Sequence, residues 1–140
     1  MTLTVEQLTP EDRELIELAR CTIDANTDAD SGDEDGAHTM GAAVRDVDGR
    51  TFVGVNLYHF TGGPCAELVA LGAARAAGSR SPQTIVAVGD YGRGVKAPCG
   101  RDRQVMYDYY PDIRVILPIG DEIGVVVASA LLPGAFDWPK

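Results

Sequence analysis

Apolar residues recur along this chain with two periods, and the switches between them mark its elements. From Pro10 to Asn26, Leu15, Leu18, Ala19, Thr22 and Ile23 fall at three- and four-residue spacing, which predicts a helix with one apolar stripe. Thr9 as N-cap, Pro10 at the first helical position and Glu11 and Asp12 in the first turn supply its start signal. Thr39 to Val47 and Thr51 to Leu57 read as strands joined through Asp48-Gly49, a favoured two-residue hairpin turn. An Ala/Leu-rich helical run begins at Cys65 and ends near Gly78, apolar nearly all round and therefore buried. Thr84 to Gly89 is a short unbroken apolar run, as expected for a central strand covered on both faces. The loop Asp90 to Pro98 leads into a further helix from Cys99 to about Tyr109, stopped by Pro111. Ile113 to Leu117 and Ile123 to Val127 read as two more strands, and Ala128 to Leu132 as a short final helix.

This alternation predicts a three-layer α/β/α domain around a mixed five-stranded sheet. With 140 residues, 45% of them hydrophobic, the chain has enough material for one core and too little for two, so residues 1–140 form a single domain. No basic start precedes an apolar run, and no window approaches about 18 uninterrupted apolar residues. The expectation is a cytoplasmic protein that does not insert in membranes. A formal charge of -9 argues against nucleic acid as a partner, since such binders draw their affinity from Lys and Arg on phosphates. Three cysteines make no disulfide framework, and Cys21 reads as a core filler. The acidic stretch from Asp24 to Gly36 lacks the spacing of a calcium loop and reads as a solvated connector; a sharper reading is that it attracts a cationic ligand to a site entrance.

The candidate chemistry lies in two Pro-Cys pairs, each at the opening of a helix: Pro64-Cys65-Ala66-Glu67 and Pro98-Cys99-Gly100-Arg101-Asp102-Arg103-Gln104. Residues three apart on a helix share a face, so Cys99 and Asp102 can aim at one point, and Cys65 completes three ligands if the two helix starts converge. Three protein ligands and an open position are the catalytic form of a zinc site, in which a water has its pKa lowered to about 7. Helix N-termini favour thiolate over thiol, so both cysteines are expected in their ligand form before a metal arrives. Glu67 lies two residues beyond Cys65 and is the candidate to carry protons. The alternative for Asp102 is that it merely caps the first turn of its helix and no metal is held.

The pattern resembles the cytidine deaminase-like zinc deaminases, whose signature is H-x-E, or a cysteine variant of it, followed by P-C-x-x-C. The likeness extends over nearly the whole chain: Gly54 to Leu71 (GVNLYHFTGGPCAELVAL), Arg93-Gly94, Arg103-Gln104 and Leu131 through Trp138 resemble the blasticidin-S deaminases. It departs at Asp102, where that family places its third cysteine. A carboxylate for a thiolate leaves the formal charge of the site unchanged, although it is the harder donor.

The resemblance implies one Zn2+ per subunit on Cys65, Cys99 and Asp102, Glu67 as the catalytic acid and base, and a homotetramer. It also implies a small-molecule aminopyrimidine nucleoside as partner, bound near Asn56, Tyr58 and Ala66, with Arg93 in the loop ahead of the second motif and Phe136 and Trp138 in a closing tail. His38, just before the first strand, borders the pocket, and neither it nor His59 is a metal ligand. Where salvage cytidine deaminases hold the ribose hydroxyls with Asn-x-Glu, this chain has Asn56-Leu57-Tyr58, so the sugar carboxylate is missing. Arg103, rather than Arg101, is expected to support the ligands from behind. The reaction implied is hydrolytic deamination of a blasticidin S-like aminopyrimidine; cytidine or deoxycytidine is the alternative substrate, and a metal-free nucleoside-binding module is the alternative of another class.

Overall fold

A computed structural model describes residues 3–31 and 35–137. Its elements are helix α1 (Pro10–Asn26), strands β1 (Met40–Asp46) and β2 (Thr51–Val55), helix α2 (Ala66–Ala76), strands β3 (Pro82–Gly89) and β4 (Gly94–Lys96), helix α3 (Gly100–Tyr109), and strands β5 (Arg114–Ile119) and β6 (Glu122–Val127). A single 3-10 turn, Ala128–Leu131, stands where the final helix is predicted.

The strand order is β2-β1-β3-β5-β6, antiparallel throughout except for the parallel β3–β5 pair. The sheet is therefore mixed, as predicted, but has a sixth strand inside the expected loop. Strand β4 folds back on Ala87–Gly89, beyond the point where β5 pairs with Thr84 and Ile85. Three residues carry too little pattern to show in a sequence. The β1–β2 connection is also longer than the two-residue turn: Val47–Arg50, with Gly49 at φ 85° and the Asp46 carboxylate accepting from the amides of Asp48 and Arg50.

Side chains alternate across the sheet and divide the core in two. Ala43, Val86, Val88, Ile116 and Val125 pack on Leu15 and Ala19 of α1. Ala42, Val44, Ile85, Ala87, Val115, Leu117 and Val126 pack on Ala66, Ala70 and Leu71 of α2 and Met106 of α3. Each large side chain fully buried this way contributes about 1.5–3 kcal/mol relative to exposure. Helix α2 lies tight on the sheet because Gly54 has no side chain: a Cβ there would stand 2.6 Å from the Ala70 amide nitrogen. That contact sets how α2, and hence Cys65 at its start, sits against β2.

The predicted start of α1 is present as a reciprocal cap, in which Thr9 Oγ1 accepts from the Asp12 amide and the Asp12 carboxylate accepts from the Thr9 amide. The same fully buried carboxylate takes two 2.8 Å bonds from the Arg114 guanidinium on β5 and a longer one from Arg45 on β1. Burial pushes the Asp12 carboxyl up, but the bonds from Arg114 and Thr9 outweigh it and hold it down at about 2. A carboxyl whose folded pKa is depressed stabilises the fold above its unfolded value and ceases to do so as pH falls through the folded one. Asp12→Asn is therefore expected to cost about 2 kcal/mol at neutral pH, with the gap closing as pH drops from about 4 towards 2, measured by urea unfolding.

One further expectation is corrected. Cys21 is exposed on α1 rather than filling the core, because the apolar stripe runs through Leu15, Ala19 and Ile23. The described acids of the connector, Asp24, Asp28, Asp30 and Asp35, are exposed, and Asp28 also accepts from the amides of Ala37 and His38. No helix among the described residues is long and apolar enough to cross a membrane.

Candidate active site

The two Pro-Cys segments meet. Cys65 and Cys99 are the N-cap residues of α2 and α3, and neither sulfur is used in a side-chain cap bond. Their Sγ atoms stand 3.4 Å apart, and these sulfurs and a carboxylate oxygen of Asp102 all lie within 4.8 Å of one another. Asp102 is 1% exposed, and no backbone, amide or guanidinium donor reaches its oxygens. It therefore does not cap its helix. Its bonded neighbour is the Glu67 carboxyl.

Two thiols and a buried carboxylate that no arginine or backbone amide reaches form a donor set able to take up a cation. The chemistry of the set, two sulfurs and one oxygen from residues at helix starts, fits a divalent ion of the zinc kind. In the metal-free chain the expected thiolate character of Cys65 is overturned. Burial first, then the Cys99 thiol and the Asp102 charge, push the Cys65 thiol up to about 12, against a smaller opposing pull from Arg101. Thiolate at Cys65 would thus depend on a bound cation.

The cluster opens into a cavity of about 250 Å³, lined by Glu67, Asp102, Cys65 and Cys99 together with Met40, Asn56 and Tyr58. Glu67 is 6% exposed. Burial, then the neighbouring Asp102 charge, push its carboxyl up to about 8, so in the metal-free chain it holds its proton at neutral pH. Asn56 Oδ1 accepts from the amides of Thr39 and Met40, which leaves its NH2 as the group free for the cavity. Tyr58 stands at the mouth, largely exposed.

Asn56, Tyr58 and Ala66 line the cavity, and Arg93, His38 and Phe136 are not among its lining residues. Arg93 is drawn back to the Asp90 carboxylate and the Thr39 carbonyl. His38 Nδ1 is engaged with the Asn56 carbonyl, behind the pocket wall. The Phe136 carbonyl accepts from Gln104 Nε2, and the Phe136 side chain is exposed. Trp138 lies outside the described residues.

The two arginines flanking Asp102 support different segments. Arg103 donates to the Pro98 and Leu131 carbonyls, fixing the approach to Cys99. Arg101 crosses to the first motif, donates to the Gly62 and Gly63 carbonyls at 3.1 and 2.6 Å, and lies beside the Cys65 sulfur. Its position between Cys99 and Asp102 is the one signal that could have found it. Gly63 itself is hemmed in, for a Cβ there would come within 1.7 Å of the Leu57 carbonyl oxygen. Gly63→Ala is expected to displace the loop before Cys65, costing about 1–3 kcal/mol in stability and weakening zinc retention about tenfold, as read from melting and chelator competition.

No family model matches the chain. Blasticidin-S deaminase of Bacillus cereus is 32% identical over 109 residues, 71% of this chain and 78% of that protein. The crystal structure of cytidine deaminase from Burkholderia pseudomallei superposes with a TM-score of 0.71 at 34% identity, covering 92% of this chain and 100% of that one. Cytidine deaminase from Mycobacterium leprae gives a TM-score of 0.68 at 28% identity over 87% of this chain and 98% of that one. Fold, cluster and likeness together define an α/β/α deaminase, a hydrolase acting on C–N bonds. The chain belongs to the cytidine deaminase-like family.

Proposed function

We propose that this enzyme removes the exocyclic amine of a cytosine-type nucleoside, with a blasticidin S-like aminopyrimidine as the leading substrate. The observation that carries the reading is Asp102, buried where no arginine or backbone amide reaches it, sharing one cavity with two sulfurs and Glu67. Cys65, Cys99 and Asp102 would hold one zinc ion. When bound, zinc supplies a Lewis acid that brings the pKa of a water to about 7.

The chain's own residues do the rest. Glu67 takes a proton from water as its oxygen adds to C4 and passes it to ring N3, then takes the hydroxyl proton at C4 and passes it to the departing amine. C4 becomes tetrahedral, the C4–N bond breaks, and ammonia and a uracil-type product leave. The Asn56 NH2 is placed to orient the ligand, and Tyr58 stands at the mouth without the negative charge that a ribose-binding carboxylate would bring. Met40 and Ala97 give the cavity apolar wall, which limits competing water.

Cytidine or deoxycytidine is the second reading, favoured by the 34% identity to a cytidine deaminase over that protein's full length. Ammonia release by the zinc-loaded chain from blasticidin S, cytidine, deoxycytidine and isocytosine decides between them by kcat/KM. Release from none of them would refute the proposal. A homotetramer is proposed as well, supported by the exposed aromatic surface of Tyr58, Phe60 and Phe136. Sedimentation at a single-chain mass would refute it.

A further inference from the structure

We propose that Asp102 sets the metal preference of the cluster, steering it from soft ions such as Cd2+ towards borderline ones such as Zn2+ and Co2+. The proposal rests on the reading of Cys65, Cys99 and Asp102 as the metal ligands and concerns which ion they select.

The geometry isolates the carboxylate as a donor. Asp102 is almost completely buried, and no backbone, amide or guanidinium donor reaches its oxygens; its one bonded neighbour is the Glu67 carboxyl, which shares a proton with it in the metal-free chain. Of the flanking arginines, Arg101 bonds the Gly62 and Gly63 carbonyls and lies beside the Cys65 sulfur, while Arg103 bonds the carbonyls of Pro98 and Leu131. Neither reaches the Asp102 oxygens, so an ion seated between them and the two sulfurs would meet a charge that no arginine offsets. A third thiolate at this position would give the cluster the same formal charge, so any difference between the two side chains arises from donor hardness. Soft thiolates favour soft ions, and a hard carboxylate oxygen contributes little to binding them. Two sulfurs alone remain for Cd2+, whereas Zn2+ and Co2+ accept sulfur and oxygen together.

The test uses the full chain, loaded with zinc, freed of excess metal, and titrated with Cd2+ or with Co2+. Displacement is followed by thiolate-to-metal charge-transfer absorbance and by zinc release. Asp102→Cys is expected to raise the ratio of Cd2+ to Co2+ affinity about tenfold or more over wild type. Asp102→Asn, which keeps the shape and loses the charge, is expected to weaken both ions about tenfold or more. An unchanged ratio in Asp102→Cys overturns the proposed selectivity while leaving metal binding intact. Wild-type affinity for both ions in Asp102→Asn overturns Asp102 as the determinant. A wild-type chain that takes up neither zinc nor either probe overturns the metal reading and the selectivity together, and zinc analysis alone identifies that case.

Discussion

Glu67→Gln is expected to lower kcat by about a thousandfold while leaving bound zinc unchanged. The glutamine keeps the size of the side chain and removes its ability to take and return a proton. Because Glu67 is not a ligand in this arrangement, metal content read by elemental analysis separates loss of chemistry from loss of the ion. A variant that kept near-normal kcat would sink the assignment of Glu67 as acid and base. The same substitution has a second consequence in the chelated protein. The folded Glu67 carboxyl sits at about 8, above its ordinary 4.5, so folded chains keep a proton that unfolded chains release. Stability of metal-free wild type should therefore fall as pH rises from about 4.5 to 8, and Glu67→Gln should flatten that slope in urea melts.

Asp102→Ala should reverse its effect on stability depending on metal. In the chelated protein the buried carboxylate has only the Glu67 carboxyl for a partner and no cation, and an under-satisfied polar group of this kind costs about 1–3 kcal/mol, more when charged. Removing it should raise the melting temperature of the metal-free chain. With zinc present the order should invert, because the variant loses a ligand and with it the stabilisation that comes from binding the folded state alone. Calorimetric melting of both proteins with chelator and with zinc tests this. If the two proteins keep the same order in both conditions, Asp102 has no part in holding an ion. Turnover by the variant should drop with zinc occupancy, which ties the stability result to the chemistry.

The legibility of this chain varied with the range of the interaction. Helix α1 was readable down to its cap because Thr9, Pro10 and Asp12 act within one turn. Strand β4 was not, since Gly94–Lys96 becomes a strand only by pairing with Ala87–Gly89. Arg93 looked available in a glycine-flanked loop, yet Asp90 and the Thr39 carbonyl, 54 residues away along the chain, claim its guanidinium. Cys21 satisfied the composition of a core residue but falls off the apolar stripe.

By itself the sequence determined an α/β arrangement with a mixed sheet and placed Cys65, Glu67, Cys99 and Asp102 on the opening turns of two helices, because periodicity and caps are short-range properties. Only the tertiary structure decided that those turns converge to a 3.4 Å sulfur pair, that Arg101 rather than Arg103 reaches across to the first motif, and that the Cys65 thiol is made less acidic. Those outcomes depend on sheet register, on the close seating of α2 over Gly54, and on burial, which act between residues distant in the chain.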